Sequence, residues 1–332
     1  MGGVLQKETV LVTGASGQLG QSLQYVLQQQ LAHQKTSVVL DSTPIHEQMA
    51  TFPAGHDYVF LDRNQLDLSP RESLSQDIDR LIEEHRPKAF IHAAAYTQVD
   101  AAELDEQAAF HLNETATDLL AKACAARNIL FIYLSTDFVF GGKNIHQKPF
   151  LPLDPIAPEG VYARSKAAGE KAVQGAAGPH YIVRTSWVFS PFGHNFVKTM
   201  LRLAQERLSL LSEQNQQTSD RNPPTISVVA DQFGCPTSAL DLARALILLI
   251  ATKASPYGIH HYSNTGTAHW AQLAGAIFEQ RNLPITVKPI STEDFAAPAP
   301  RPHFSVLENT LDPKARHWKE ALAEALSILK TA

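Results

Sequence analysis

The chain has 332 residues, 44% of them hydrophobic, which suits one large domain or two smaller ones with a sizeable core. A net charge of −5, from 28 basic and 33 acidic residues, provides no basic stripe and argues against a nucleic-acid partner. Cys124 and Cys235 match no metal or redox spacing, which fits a reducing cytoplasm, and the longest apolar run, "ALILLIA", is far too short for a membrane span.

At the N-terminus no basic region precedes a long apolar one, so no signal peptide is expected. "TVLVTG" reads as a strand and "GQLGQSLQYVLQQQLA" as a helix. "TSVVLD" (36–41) reads as the second strand and "DYVFLD" (57–62) as a further short one. In "SPRESLSQDIDRLIEEHRP", Ser69 is placed to cap a helix whose first residue is Pro70. "AFIHAAA" is strand, "ETATDLLAKACAARN" helix and "ILFIYLST" strand; residues 162–175 are helix and "YIVRTSWVF" strand. This alternation predicts an α/β fold, a Rossmann-type doubly wound parallel sheet with helices on both faces.

After about residue 190 the rhythm changes. "NFVKTMLRLAQERL" is an amphipathic helix, and the polar stretch 210–225 reads as an exposed loop. "TISVVAD" and "GIHHYSN" read as strands on either side of the helix "SALDLARALILLIATK". The helix "AHWAQLAGAIFEQRN", the proline-rich "FAAPAPRPHFSVLEN" and a final helix near 317–330 complete a smaller C-terminal mixed α/β lobe.

The first strand leads into Gly14, Gly17 and Gly20, and a helix follows. One glycine permits the sharp turn, another lets the backbone approach a pyrophosphate, and the last lets the helix pack closely on the strand. Free N–H groups and the positive helix end then meet the phosphates. Asp41 ends the expected second strand, about twenty residues past the loop, where a carboxylate accepts hydrogen bonds from an adenosine ribose. It favours NADH, while Ser42 and Thr43 beside it leave NADPH open. The expected division is therefore an NAD(P)-binding domain over 1–190, rejoined by segments from 225–260, with a substrate lobe mainly over 191–332.

Tyr162 and Lys166 are four residues apart on a predicted helix and so share a face. Ketone reduction needs hydride at carbon and a proton at oxygen. A free tyrosine, with pKa about 10, is a poor donor near neutrality, and a nearby ammonium lowers that value. Thr136 ends a strand about where its hydroxyl can hold the keto oxygen. Trp187 suits stacking on a base or sugar face, and Asn195 and Arg301 are candidates for the diphosphate or the base. Adjacent histidines such as His260 and His261 alternate faces on a strand and make a poor metal site.

The segments "HAAAYTQVDAAE", "YLSTDFVFGG", "VYARSKAAGEKAV", "VRTSWVFSPFGHNFVKTMLRLA", "VVADQFGCPTSALDLA" and "RPHFSVLEN" occur in this order between about residues 8 and 310. Together they resemble the dTDP-4-dehydrorhamnose reductase family of extended short-chain dehydrogenases/reductases. The resemblance implies NADPH- or NADH-dependent reduction of a dTDP-6-deoxy-4-ketosugar. It implies Thr136, Tyr162 and Lys166 as catalytic residues. Gly17, Gln18, Leu19 and Asp41, then Asp67 and Leu68, then Ala95, Tyr96 and Thr97, would meet the cofactor. Asp137 and Trp187 would meet the substrate.

Tyr96 stands where the family commonly has histidine, and Phe138 and Phe189 where it commonly has tyrosine. The loop at 210–225 is longer than usual in the family, and the glycine that often follows the Arg-Pro pair is missing. Some members bind Mg²⁺ at a dimer contact; no ligands for it can be assigned here, and a homodimer is left open. Two other readings stay open: a sister reductase of a different dTDP-ketosugar, and a non-catalytic regulator like the β subunit of methionine adenosyltransferase.

Overall fold

The computed structural model describes residues 8–33, 56–70, 72–141, 148–214, 223–312 and 314–329. The expected strand at 36–41, with Asp41, lies outside the described residues, as does 215–222 of the polar loop.

Six parallel strands form the central sheet. In chain order they are β1 (Glu8–Thr13), β2 (His56–Leu61), β3 (Ala89–His92), β4 (Leu130–Thr136), β5 (His180–Thr185) and, after several short strands, β10 (Gly258–His261). Their spatial order is β2-β1-β3-β4-β5-β10. The chain thus leaves β1 in one direction for β2 and returns to the other side of β1 for β3. That reversal opens a crevice at the carboxyl ends of β1 and β3, the place where open α/β sheets bind ligands.

Alternate residues of each strand feed two separate cores. On one face Val10, Val12, Ile91, Ile132 and Val183 pack against α1 (Gln18–His33) and α6 (Ala239–Thr252). On the other, Leu11, Phe90, Phe131 and Ile182 pack against α2 (Leu74–His85) and α3 (Ala116–Ala125). Each such side chain, fully buried, contributes about 1.5–3 kcal/mol of transfer free energy. A sheet covered on both faces explains why its strands read as near-continuous apolar runs. Further helices are α4 (Gly160–Gly175), which packs on β4, and α5 (Phe196–Gln214).

The C-terminal half is interleaved with the sheet. Helix α6 covers the first core and β10 is an edge strand, whereas β7 (Thr225–Val229) pairs in parallel with β12 (Thr286–Ile290) away from it. Two more two-stranded pairs join β6 (Val188–Phe189) to β9 (Thr237–Ser238), and β8 (Phe233–Gly234) to β11 (Ala268–His269). Helices α7 (Trp270–Gln280) and α8 (Trp318–Ile328) share a third core with α5, built from Val197, Met200, Ile277, Phe278, Trp318 and Leu322. Among the described residues no helix is long and apolar enough to cross a membrane.

One expected boundary moves. Helix α2 starts at Leu74, after Ser73, and not at Pro70. Ser69 is engaged elsewhere: its hydroxyl donates to Asp67 Oδ1 at 2.6 Å and accepts from Arg63 at 2.9 Å.

The last helix is fastened by charge. Arg316 bonds both oxygens of Asp241 at 2.8 Å and also Glu324, and Arg244 reaches Glu324 at 2.6 and 2.9 Å. Burial raises the Glu324 carboxyl, but Arg244 and Arg316 outweigh it and hold the pKa at about 2. A depressed folded value contributes stability above the unfolded pKa of about 4.5, lost as pH falls through about 2. Glu324→Gln is expected to destabilise the protein at pH 7 by about 2 kcal/mol, less than for a fully buried pair because a quarter of the side chain is exposed. Urea unfolding at pH 7 and pH 3 checks this, with a smaller difference at the lower pH.

Candidate active site

A cleft of about 1590 Å³ runs across the carboxyl ends of the strands. Sites for a single small ligand occupy roughly 300–1,000 Å³, so this cleft has room for a dinucleotide and a second ligand together. Gly14, Gly17, Gln18, Leu19 and Gly20 line one part of it.

Gly14 has φ +75°, and a Cβ there would sit 2.8 Å from the backbone nitrogen of Ala94, after β3. A Cβ on Gly20 would collide with the Gly14 carbonyl, so α1 packs directly on the loop. Gly17 meets only the Gly14 carbonyl, at 3.2 Å, and leaves the cleft side open to a phosphate. The first N–H groups of α1 have no intrahelical partners, as at any helix start, and form an anion cradle. Gln18 is tied across the cleft, accepting from the Ser190 hydroxyl at 3.2 Å.

The strand beside β1 on the outer side is β2, and β3 takes the other edge. The residue that follows β2 is Asp62, with Arg63 next, and both line the cleft. The position expected of Asp41, at the carboxyl end of the strand next to β1, is therefore held by Asp62. Sequence reading missed it because "TSVVLD" also has strand composition and comes first in the chain. The overlooked signal was "LDRNQLDLS", in which an acid follows a strand shortly before the Asp67–Leu68 pair. Asp62 Oδ1 accepts from Asn64 and Gln65 backbone N–H at 2.8 and 3.2 Å. Asp67 Oδ1 accepts from Arg63 Nε at 3.2 Å and from Ser69 N–H at 3.0 Å. The Ser69 hydroxyl bond, opposed by slight burial and helped by Arg63, holds the Asp67 carboxyl below its usual range. Asp67 thus positions the Arg63 guanidinium at the cleft.

Across β3, Ala95, Tyr96 and Thr97 line the same cleft. Asn113, at a π-helical turn, holds that segment: its Oδ1 accepts from Tyr96 N–H at 2.8 Å and its Nδ2 donates to Tyr96 O at 3.1 Å. Its amide also reaches Ser165 Oγ at 2.9 Å, next to Lys166 on α4.

Thr136, at the end of β4, and Tyr162, in the first turn of α4, both face the cleft. Burial pushes the Tyr162 phenol up to about 12, and hydrogen bonding with Thr136 partly offsets this. Phe138 stands edge-on to Tyr162, ring centres 5.5 Å apart. Lys166 is only 2% exposed. Its ammonium donates to the Leu134 carbonyl at 2.8 Å and lies 4.1 Å from the Tyr133 ring centre. Burial pulls it down to about 7, against the upward pull of Glu170. The shared helix face places both Tyr162 and Lys166 at the cleft, and the hydrogen bond of the ammonium goes to β4.

Asp137 lines the cleft yet is almost wholly enclosed. Its carboxylate accepts from Ser186 at 2.9 Å, Ser305 at 2.5 Å and Thr136 at 3.2 Å. Trp187 has φ +46° and stacks on Trp270 at 3.6 Å, 6° from parallel. Trp270, which sequence reading passed over, also lines the cleft. Asn195 does not join it. Its amide donates to the Ser190 and Phe192 carbonyls and its oxygen accepts from Lys198 N–H, which caps the start of α5. Arg301 lines the cleft from the C-terminal side. Among the described residues no group of three or more His, Cys, Asp or Glu side chains is arranged to hold a metal ion.

The family described as RmlD substrate binding domain matches residues 8–331. A dTDP-4-dehydrorhamnose reductase of Sinorhizobium fredii is 38% identical over 275 residues, 79% of this chain and 86% of that protein. Spore coat polysaccharide biosynthesis protein SpsK of Bacillus subtilis is 32% identical over 327 residues, 97% of this chain and 98% of that protein. Among solved structures, a dTDP-4-dehydrorhamnose reductase from Bacillus anthracis in complex with NADP superposes with a TM-score of 0.79 at 33% identity, covering 97% of this chain and 99% of that one.

Burial pushes the Asp137 carboxyl up to about 6, against its three hydroxyl donors, from an ordinary 3.8. The folded chain then binds more protons than the unfolded chain between these values, so this group's contribution falls as pH rises through that window. Relative to Asp137→Asn, the wild type is expected to lose about 2 kcal/mol of stability between pH 4 and 6.5. Paired urea titrations across that range measure the difference, and a pH-independent difference would refute it.

Proposed function

The chain belongs to the RmlD substrate-binding domain family, and we propose that it is an NAD(P)H-dependent reductase of the 4-keto group of a dTDP-6-deoxyhexose, with dTDP-4-dehydro-L-rhamnose, reduced to dTDP-L-rhamnose, as the leading substrate. The observation that carries this reading is one continuous cleft with the glycine cradle in one part and Thr136 and Tyr162 in another. On this reading residues 1–190, with α6 and β10, hold the cofactor, and the remainder of 191–332 holds the sugar nucleotide.

The residues fit a dinucleotide. Gly17 leaves room for a pyrophosphate over the start of α1, and Asp62 and Arg63 stand where an adenosine ribose would lie. The cofactor, when bound, supplies the hydride. Tyr162 then donates its phenolic proton to the oxygen that becomes the alcohol, while Thr136 holds that oxygen by hydrogen bonding. Lys166 supplies a cation behind the site that favours the phenolate left on Tyr162, and its other hydrogens are free to bind a ribose hydroxyl. Phe138, Trp187 and Trp270 provide apolar walls that suit a 6-deoxy sugar and a base and help exclude water.

The Arg63 guanidinium, already aligned by Asp67 and Ser69, supports a preference for the 2′-phosphate of NADPH. A sister ketosugar is the second reading, favoured by the near-full-length similarity to SpsK. A panel of dTDP-4-keto-6-deoxy sugars with both cofactors decides between them.

Purified protein is expected to oxidise NADPH only when a dTDP-4-keto-6-deoxyhexose is present, and no turnover with either cofactor across the panel would sink the reading. Tyr162→Phe is expected to lower kcat by about 10²–10⁴-fold with NADPH affinity retained; full activity in that variant refutes the acid assignment. Arg63→Ala is expected to raise KM for NADPH about tenfold and to leave KM for NADH nearly unchanged. Equal effects on both would remove the 2′-phosphate role.

A further inference from the structure

Arg301 and Asp100 form a link between the two halves of the chain. Asp100 lies in the short helical turn Val99–Ala102, just after the segment Ala95–Thr97 that lines the cleft. Its Oδ1 accepts from Arg301 Nη1 at 3.0 Å and its Oδ2 from Arg301 Nη2 at 2.7 Å. Oδ1 also accepts the Ala299 backbone N–H at 3.1 Å, and Arg301 Nη1 donates back to the Ala299 carbonyl at 2.8 Å. One carboxylate therefore fixes both the guanidinium and the backbone that leads to it. The same backbone passes close to Gly160, the first residue of the helix that carries Tyr162, where a Cβ would lie 3.0 Å from Pro300.

The donors left over decide what this arrangement can do. A guanidinium has five N–H groups. Those on the end facing Asp100 are used, and so is the second hydrogen of Nη1. Nε–H and the second Nη2–H have no partner among the described residues. These two lie on one edge and form a parallel fork, the geometry that binds phosphate oxygens bidentately. The guanidinium is largely enclosed, 18% exposed, and lines the cleft. The Arg301 bond, opposed by partial burial, keeps the Asp100 carboxyl below its usual range, so the pair persists at neutral pH.

We propose that Asp100 is a positioning residue that presets the Nε/Nη2 edge of Arg301 to bind the diphosphate of the sugar nucleotide, so that this phosphate site is assembled from both halves of the chain. This rests on the nucleotide-sugar reading above. The opposite arrangement, in which Asp100 competes with the diphosphate for Arg301, predicts the opposite sign.

The test is titration of the full-length, NADP-loaded protein with TDP by calorimetry, together with steady-state kinetics. Asp100→Ala is expected to weaken TDP binding about tenfold and to raise KM for the ketosugar far more than it lowers kcat. NADP affinity serves as the control for folding and for the cofactor half. In the Arg301→Ala background, adding Asp100→Ala is expected to change TDP affinity by less than twofold, the signature of action through Arg301. TDP binding as tight as wild type, or tighter, in Asp100→Ala overturns the proposal, as does full additivity of the two substitutions. A wild-type chain that binds NADP but not TDP overturns the nucleotide-sugar reading and the proposal with it.

Discussion

A buried lysine governs the arrangement of the candidate active site. Lys166 is only 2% exposed, and its ammonium forms no salt bridge among the described residues. An ion so placed must be compensated by dipoles and ring faces at close range. The Leu134 carbonyl and the Tyr133 ring provide this, and both belong to β4. Helix α4 must therefore lie directly against β4. Gly169 permits that approach, because a Cβ there would strike the Tyr133 hydroxyl and the Asn113 carbonyl. One turn past the lysine, Glu170 accepts the Ser135 hydroxyl at 2.5 Å and pairs with buried Arg184 of β5 at 2.6 Å. Breaking such a buried pair by removing one partner costs about 3–5 kcal/mol, so the helix is held in one register over two strands. That register brings Tyr162 beside Thr136.

The same economy of contacts joins the cofactor side to the catalytic side. Gly14 touches the backbone after β3, and Asn113 clamps the Tyr96 backbone to Ser165 on α4. The C-terminal lobe enters through polar and aromatic contacts. Ser305 reaches Asp137, Arg301 reaches Asp100, and Trp270 stacks on Trp187. Each joins a residue of the first half to one of the second, so the cleft walls are shared between the halves although most of the chemistry comes from the first.

The choice between two candidate strands beside β1 shows what pattern reading cannot weigh. "TSVVLD" and "HDYVFL" have similar strand composition, and counting from the glycine loop selects the first. In the sheet, β1 has only two edges, and they go to β2 and β3. Asp62 thereby gains the place that spacing gave to Asp41. Asn195 is a comparable case: a polar residue near the site in sequence whose side chain holds the preceding loop and caps the start of a helix.

By itself the sequence determined whatever depends on local repetition. The alternation of strands and helices fixed the parallel sheet, the glycine spacing fixed the turn into α1, and the four-residue interval put Tyr162 and Lys166 on one helix face. These follow from periods of two and 3.6 residues that a chain cannot hide. Tertiary structure alone decided which acid stands beside β1, that the Lys166 ammonium hydrogen-bonds β4, and that Asp100 meets Arg301 across 201 residues of chain. Such pairings depend on the path of the chain between the partners, and no local period carries that information.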